Sequence, residues 1–261
     1  MYSFTSRIRF SEVDTHLNLT LGSVIDYFQD CSTFHSDAVG MNIARLSAMK
    51  RAWILSSWQI VPVRFPKLGE KVTISTWPYD FHGFFGYRNF TMTGEDGECL
   101  VYANSIWIYM DTETGRPVKV DQEQEACFRI EEKFPMEYAD RKIRMPEETE
   151  ERESFQVAKH HLDINHHVNN AQYIKMAEEY LPEGFALKEM QTVQEGSDAS
   201  RRYRPQSGQR GWPLDGGADR RRGKALRRGG FSGETVKPER IRGEYYAGIR
   251  KKTEPDGGQD C

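Results

Sequence analysis

The feature that most limits how this chain can fold is a strand–turn–helix pattern that occurs twice. Residues 5–13, TSRIRFSEV, alternate as a strand does. A polar turn follows. The stretch LTLGSVIDYFQDCSTFHSDAVG then sets Val24, Ile25, Phe28, Cys31 and Phe34 at helical spacing, with Thr20 or Ser23 as the cap and Gly40 as the stop. Further on, SFQVAKHHLDINHHVNNAQYIKMAEEYLPEG repeats the order, with Tyr173, Ile174, Ala177 and Tyr180 as the apolar stripe of a helix. The turns correspond as well. Aligned on Asp14 and Asp163, at an offset of 149 residues, His16 meets Asn165 two positions on and Asn18 meets His167 four positions on. Similar turns at the same place in two such units indicate an internal duplication.

Four segments follow the first helix: AWILSSWQIVPVRF, EKVTISTWPYDFHG, GYRNFTMTGEDGECL and VYANSIWIYMDTETGRP. Each is rich in β-branched and aromatic residues and bounded by Gly, Pro or Asp, as strands are. Glu95-Asp96-Gly97 and Glu113-Thr114-Gly115 suit the turns between them. One long helix against four or more antiparallel strands is an α+β layer. Together with the repeat, this predicts a tandem hot-dog fold, each unit a long helix wrapped by a bent antiparallel sheet, with the second unit incomplete. The expected divisions are residues 1–120 for the first hot dog, 121–153 for an acidic, solvated linker, 154–192 for the start of the second, and 193–261 for a tail of different texture.

The second turn, HHLDINHHVNNAQYI, is where the sequence concentrates chemistry. Asp163, Asn165 and His167 are two apart, so an extended segment would point them to one face. An imidazole there can act as general base near neutral pH, and a carboxylate can orient it and stabilise the imidazolium. An amide, or the backbone N–H groups of the helix that follows, can stabilise an oxyanion. His160, His161, His166 and His167 could instead form a metal patch, but no further carboxylate or Cys stands at a recurring ligand spacing, so no metal is expected. Asn169 and Asn170 read more simply as turn and N-cap residues.

The string Asp163-Ile-Asn165-His-His167-Val-Asn169-Asn170-x-x-Tyr173 resembles the active-site signature of the acyl-[acyl-carrier-protein] thioesterases, which are double hot-dog enzymes. The N-terminal helix and the strands around Trp53-Ile54-Leu55 resemble the same family, so the likeness extends over residues 2–190 or so. It implies hydrolysis of a fatty acyl thioester on acyl carrier protein, with Asp163, Asn165 and His167 as the catalytic set and no cofactor. Phe28, Trp53, Ile54 and Trp58 become candidate walls of an acyl tunnel, although residue by residue they read more readily as core. Acyl-CoA hydrolysis by a related hot-dog enzyme, or acyl binding without hydrolysis, are the alternatives. The family also uses an acidic residue or a Cys some 30–35 residues after the motif. The sequence there no longer looks like the family, and the role is assigned to no residue.

No apolar run approaches the roughly 18 residues of a membrane span, and MYSFTSRIRF lacks the apolar core of an export signal. Cys31, Cys99, Cys127 and Cys261 are scattered and read as reduced thiols. A cytoplasmic protein is expected, whose partner is the carrier protein rather than a membrane or nucleic acid; a homodimer is left open.

Composition matters most in the tail. Residues 201–261 hold 12 of the 22 glycines and 12 of the 23 arginines, and residues 197–261 carry +7 in a chain whose net charge is −3, which leaves −10 on the body. A basic nucleic-acid arm would explain the charge, but few aromatics and no recognised module accompany it. A shifted reading frame explains it better. Codons that permit Asp198–Arg204 can be read one base later as MLPGDTV, a Gly-Asp turn leading into a strand. The text as far as Phe231 can be read onward as strand, Asp-Gly turn and strand. The expectation is that residues beyond about 193 pack poorly or lack regular strands. The gene's nucleotide sequence tests the shift: the frame one base later should run open with strand-like text, and stop codons there would end the idea.

Overall fold

The computed structural model describes residues 1–140, 155–156, 158–162, 168–181, 185–193, 235–236 and 246–251. The alternating N-terminus forms β1 (Tyr2–Arg7), earlier than the TSRIRFSEV reading, because Phe10–Glu12 turns as a 3-10 helix. Helix α1 (Leu21–Ala38) starts where the cap residue requires: the Thr20 hydroxyl accepts the Ser23 N–H. Gly40, at φ +76°, reverses the chain after it. A short helix not foreseen from the sequence, α2 (Ile43–Ala48), is capped by the Asn42 side chain on Arg45 N–H. Four long strands follow: β2 (Arg51–Pro62), β3 (Lys71–His82), β4 (Phe85–Gly94) and β5 (Cys99–Asp111). The turns before β5 and after it place Gly97 and Gly115 at positive φ. The two-residue strand β6 (Arg116–Pro117) pairs with the end of β5, and α3 (Gln122–Cys127) comes next.

The second unit contributes β7 (Phe155–Gln156), a 3-10 turn at Lys159–His161, α4 (Asn170–Glu178) and β8 (Leu187–Val193). Beyond residue 193 two strands are described, and the packing of the tail lies outside the described residues. Residues Tyr246–Lys251 form β10, antiparallel to β8, and Thr235–Val236 form β9, paired with β7. The YAGIRK stretch has more strand character than the Arg/Gly text before it, and β8 offers it a row of backbone groups to satisfy. The main sheet runs β1-β3-β4-β5-β2-β8-β10, with all pairings antiparallel. Strands β2 and β8 therefore join the two units edge to edge, with Trp58 opposite Thr192 and Gln59 opposite Gln191.

Helix α1 lies on one face of this sheet. Val24, Ile25, Phe28 and Cys31 are fully buried among Ile60, Ile74, Phe90, Met92 and Leu100. The predicted stripe is correct up to its last member. Phe34 is 44% exposed and His35 is buried in its place, because 24, 28, 31 and 35 keep the 3.6-residue period while 34 rotates off it. In α4 the buried residues are Ala171, Ile174 and Met176, whereas Tyr180 of the expected stripe is exposed.

The opposite face of the sheet holds the backbone of the first part of the linker, while most of its acidic side chains stay exposed. Gln59, Asn104 and Asn89 stand in register across β2, β5 and β4 and form a buried polar row. Gln59 and Asn89 hold the segment around residues 134–139, while Asn104 Oδ1 accepts from the Tyr79 hydroxyl. Asn89 Oδ1 accepts from Phe134 N–H (3.1 Å) and the Tyr138 hydroxyl (2.9 Å), and Gln59 bridges Glu137 O (2.9 Å) and Ala139 N–H (3.0 Å). The Trp77 indole donates to Glu132 O at 2.8 Å. Acidic side chains can point to water while their backbone is held, which the charge pattern alone does not reveal. Asn89→Ala should therefore cost about 1–3 kcal/mol, because a buried N–H and a hydroxyl lose their acceptor. Exposed Glu113→Ala should stay within about 0.5 kcal/mol. Urea unfolding of the two variants measures the difference.

Candidate active site

Asp163, Asn165 and His167 lie outside the described residues. The frame on either side of them is described, and it repeats the first unit at the 149-residue offset. The 3-10 turn Phe10–Glu12 corresponds to Lys159–His161. The isolated bridge Val13–Leu19 corresponds to Leu162–Val168. Glu12 O accepts from Thr20 N–H (3.0 Å), and His161 O from Asn169 N–H (2.8 Å). The Glu12 carboxylate accepts Arg9 N–H, and His161 Nδ1 accepts Ala158 N–H, at 2.8 and 2.9 Å. Thr20 caps α1 and Asn169 caps α4, the latter through Ala171 N–H at 2.8 Å. Asn169 is thus the N-cap that its sequence position implied.

The first copy shows what an aspartate does at the head of this loop. Asp14 Oδ1 accepts the N–H groups of His16 (2.8 Å) and Asn18 (2.9 Å), and Asp14 N–H donates to Asn18 O (2.8 Å). The loop is tight enough to hold Leu17 at φ 63°, an uncommon conformation for a non-glycine residue. The carboxylate organises the loop, while His16 projects into solvent.

Helices α1 and α4 pack against each other through equivalent positions. Asp26 and Lys175, 149 residues apart, form an ion pair at 3.0 Å. Gln29 Oε1 accepts from Asn170 Nδ2 at 3.4 Å, at the start of α4. Glu178, the counterpart of Gln29, accepts the backbone N–H groups of Leu21 and Gly22 at the start of α1. The contact is therefore a pseudo-two-fold one, with a carboxamide at one end and a carboxylate at the other. The repeat offset applied along the helices, rather than to the turns alone, is the signal that would have found these residues. Enclosure between the helices pushes the Glu178 carboxyl up to about 7, against the pull of the two N–H groups and Lys175.

The tunnel candidates divide. Phe28 and Trp58 meet Phe90, with ring centroids 6.1 Å apart for Phe28–Trp58, 5.1 Å for Phe28–Phe90 and 4.9 Å for Trp58–Phe90. Trp53 sits elsewhere, 4.8 Å from Tyr109 and 5.9 Å from Phe81 in a second cluster. Ile54 follows it on β2, half-buried opposite Ile108. The indole N–H of Trp58 and the hydroxyl of its cross-strand neighbour Thr192 are both buried without a hydrogen-bond partner among the described residues. At the far end of α1, the buried Arg88 guanidinium meets His35 Nδ1 at 2.9 Å and Thr76 Oγ1 at 3.2 Å. Burial and the neighbouring guanidinium push His35 down to about 3, so it is neutral at pH 7. No group of metal-ligating side chains occurs among the described residues, and no helix among them is long and apolar enough to cross a membrane.

A helix-on-sheet unit that is repeated, joined at its sheet edge, and headed in each copy by a polar loop at a helix N-terminus is a double hot-dog protein. Two family models match it, the acyl-ACP thioesterase N-terminal domain over residues 1–128 and the acyl-ACP thioesterase C-terminal domain over residues 144–194. The chain belongs to the acyl-ACP thioesterase family. The second match ends where the Arg/Gly-rich tail begins. A palmitoyl-acyl carrier protein thioesterase of Cuphea hookeriana, described as chloroplastic, is 28% identical over 182 residues, which are 64% of this chain and 43% of that protein. This chain thus spans less than half the length of that relative. Two solved structures share the fold. An acyl-ACP thioesterase from Bacteroides thetaiotaomicron has a TM-score of 0.68 at 23% identity, covering 74% of this chain and 79% of that one. The 12:0-ACP thioesterase from Umbellularia californica has a TM-score of 0.65 at 19% identity, covering 75% and 77%.

The Glu178 carboxyl should leave a signature in stability. Its folded value is raised to about 7 from an ordinary 4.5, so the neutral form is favoured by folding. Its contribution is complete below about pH 4.5 and is lost as pH rises through 7. Between pH 6 and 8 the loss should be about 1 kcal/mol. Glu178→Gln should remove that part of the slope in urea midpoints measured at both pH values.

Proposed function

We propose that this chain hydrolyses the thioester joining a fatty acyl chain to the phosphopantetheine arm of acyl carrier protein. The observation that carries the reading is the match of both family domains to the two repeated units, with the Asp163-x-Asn165-x-His167 signature heading the second helix. His167 accepts a proton from water as the water oxygen attacks the thioester carbon, and the carbonyl electron pair moves onto oxygen. The Asn165 amide and the N-terminus of α4 stabilise that oxyanion. Asp163 orients the base, and the loop-holding part played by Asp14 in the first copy supports an organising role. Collapse breaks the C–S bond, and the proton held on His167 passes to the departing thiolate, giving free fatty acid and thiol. Every group the reaction needs is a side chain, a backbone N–H or water, so no cofactor enters.

The acyl chain lies in a dry slot whose walls include Phe28 and Trp58. The unpartnered Trp58 Nε1 and Thr192 Oγ1 support a bound molecule at that seam. Trp53 and Ile54 would line a more distant part. The carrier protein is acidic, so its docking patch is basic. Arg9 and Arg51 are paired with Glu12 and Asp111, whereas Arg7 is exposed with no ion pair among the described residues, so Arg7 is the cation to test first. A cytoplasmic location belongs to the same proposal and is supported by Cys31, Cys99 and Cys127 being free thiols.

The test offers the purified chain acyl-carrier-protein and acyl-CoA thioesters and follows free thiol. Faster release from the carrier protein is expected, with kcat lowered at least about a hundredfold by His167→Ala. A preference for CoA would move the substrate to the alternative class. Acyl binding without hydrolysis would mean that the Arg/Gly-rich tail has cost the chain its chemistry.

A further inference from the structure

We infer that Gln29, on the helix of the first unit, donates a hydrogen bond from Nε2 to the thioester carbonyl oxygen in the second unit's active site. The inference rests on the thioesterase reading above. It places a catalytic residue in the half of the chain that the signature motif does not cover.

The argument starts from the pseudo-symmetric contact of the two helices. Each helix presents one polar side chain to the first turn of the other: Gln29 to the start of α4, and Glu178 to the start of α1. These two positions are equivalent, as are Asp26 and Lys175 midway between them. Gln29 therefore stands beside the helix N-terminus that directly follows the Asp163–His167 motif in the sequence. Its Oε1 is engaged by Asn170 Nδ2, which fixes the plane of the carboxamide. No described residue accepts from its Nε2, and the side chain is only partly buried. A neutral amide with one end held and no acceptor for its N–H groups among the described residues is a donor in waiting.

The other copy supplies the contrast. There the equivalent position carries Glu178, whose carboxylate takes up the N–H groups of Leu21 and Gly22. A carboxylate in that place uses up the donors of the helix end and repels a developing oxyanion. The first unit therefore keeps the loop, the cap and the helix of the second, but not the electrostatics that acyl transfer needs. The difference between Gln29 and Glu178 accounts for chemistry at one end of the helix pair only.

Two variants of similar length test this on acyl-carrier-protein substrate, with thermal unfolding recorded for each. Gln29→Met removes the donor, and its kcat should fall about a hundredfold with KM within about threefold. Gln29→Glu should lose at least as much at pH 8. Its kcat relative to the native enzyme should rise as pH falls to 5.5, as the new carboxyl gains a proton and donates again. The nearby charges, Asp26, Asp30 and Lys175, are common to both proteins and cancel in that ratio. A purely packing role for Gln29 would leave folded Gln29→Met at native kcat, and that result would overturn the assignment whatever Gln29→Glu does, because a carboxylate there repels the oxyanion even if Gln29 never donates. The thioesterase reading would then still stand. A native chain that releases no thiol from any acyl thioester would overturn both.

Discussion

The antiparallel contact of α1 with α4 is the constraint from which the rest of the arrangement follows. Positions 149 residues apart face each other across it, so the two units are related by an approximate two-fold axis. In a pair of identical chains, a residue on such an axis meets its own copy, and an aspartate there would repel itself. In one chain the two positions need not be identical, and here Asp26 meets Lys175. The same freedom put Gln29 at one helix end and Glu178 at the other. The two units are also joined edge to edge, through β2 and β8.

A second dependence runs through amides. The apolar face of the sheet holds α1 by area, as the burial of Phe28, Phe90 and Ile74 shows. The opposite face holds the connecting segment by hydrogen bonds, through Gln59 and Asn89. Buried amides of this kind specify one path for the chain, because each satisfied donor or acceptor is costly to leave unmade. An acidic stretch is thereby fixed to the protein without a hydrophobic sequence signal.

Much of the architecture was legible because local patterns and tertiary packing agree. The period of Val24, Ile25, Phe28 and Cys31, the Thr20 cap and the Gly97 and Gly115 turns all appear where the residues required them. Errors arose where a side chain's partner comes from elsewhere in the chain. Phe34 yielded its place to His35, which Arg88 and the rings of Tyr2 and Phe128 enclose. The strand at Tyr246–Lys251 formed because β8 had an edge to fill.

The sequence by itself determined the duplication, the two capped helices, the strand order's raw material and the motif at Asp163–His167. All of these are written in spacing along the backbone. Only the tertiary structure decided which residues of one unit stand at the helix ends of the other. Lys175 reaches Asp26, Glu178 closes the start of α1 and Gln29 reaches Asn170 because two helices cross at one angle and register. Such contacts join residues more than a hundred positions apart, and a local pattern carries no record of its distant partner.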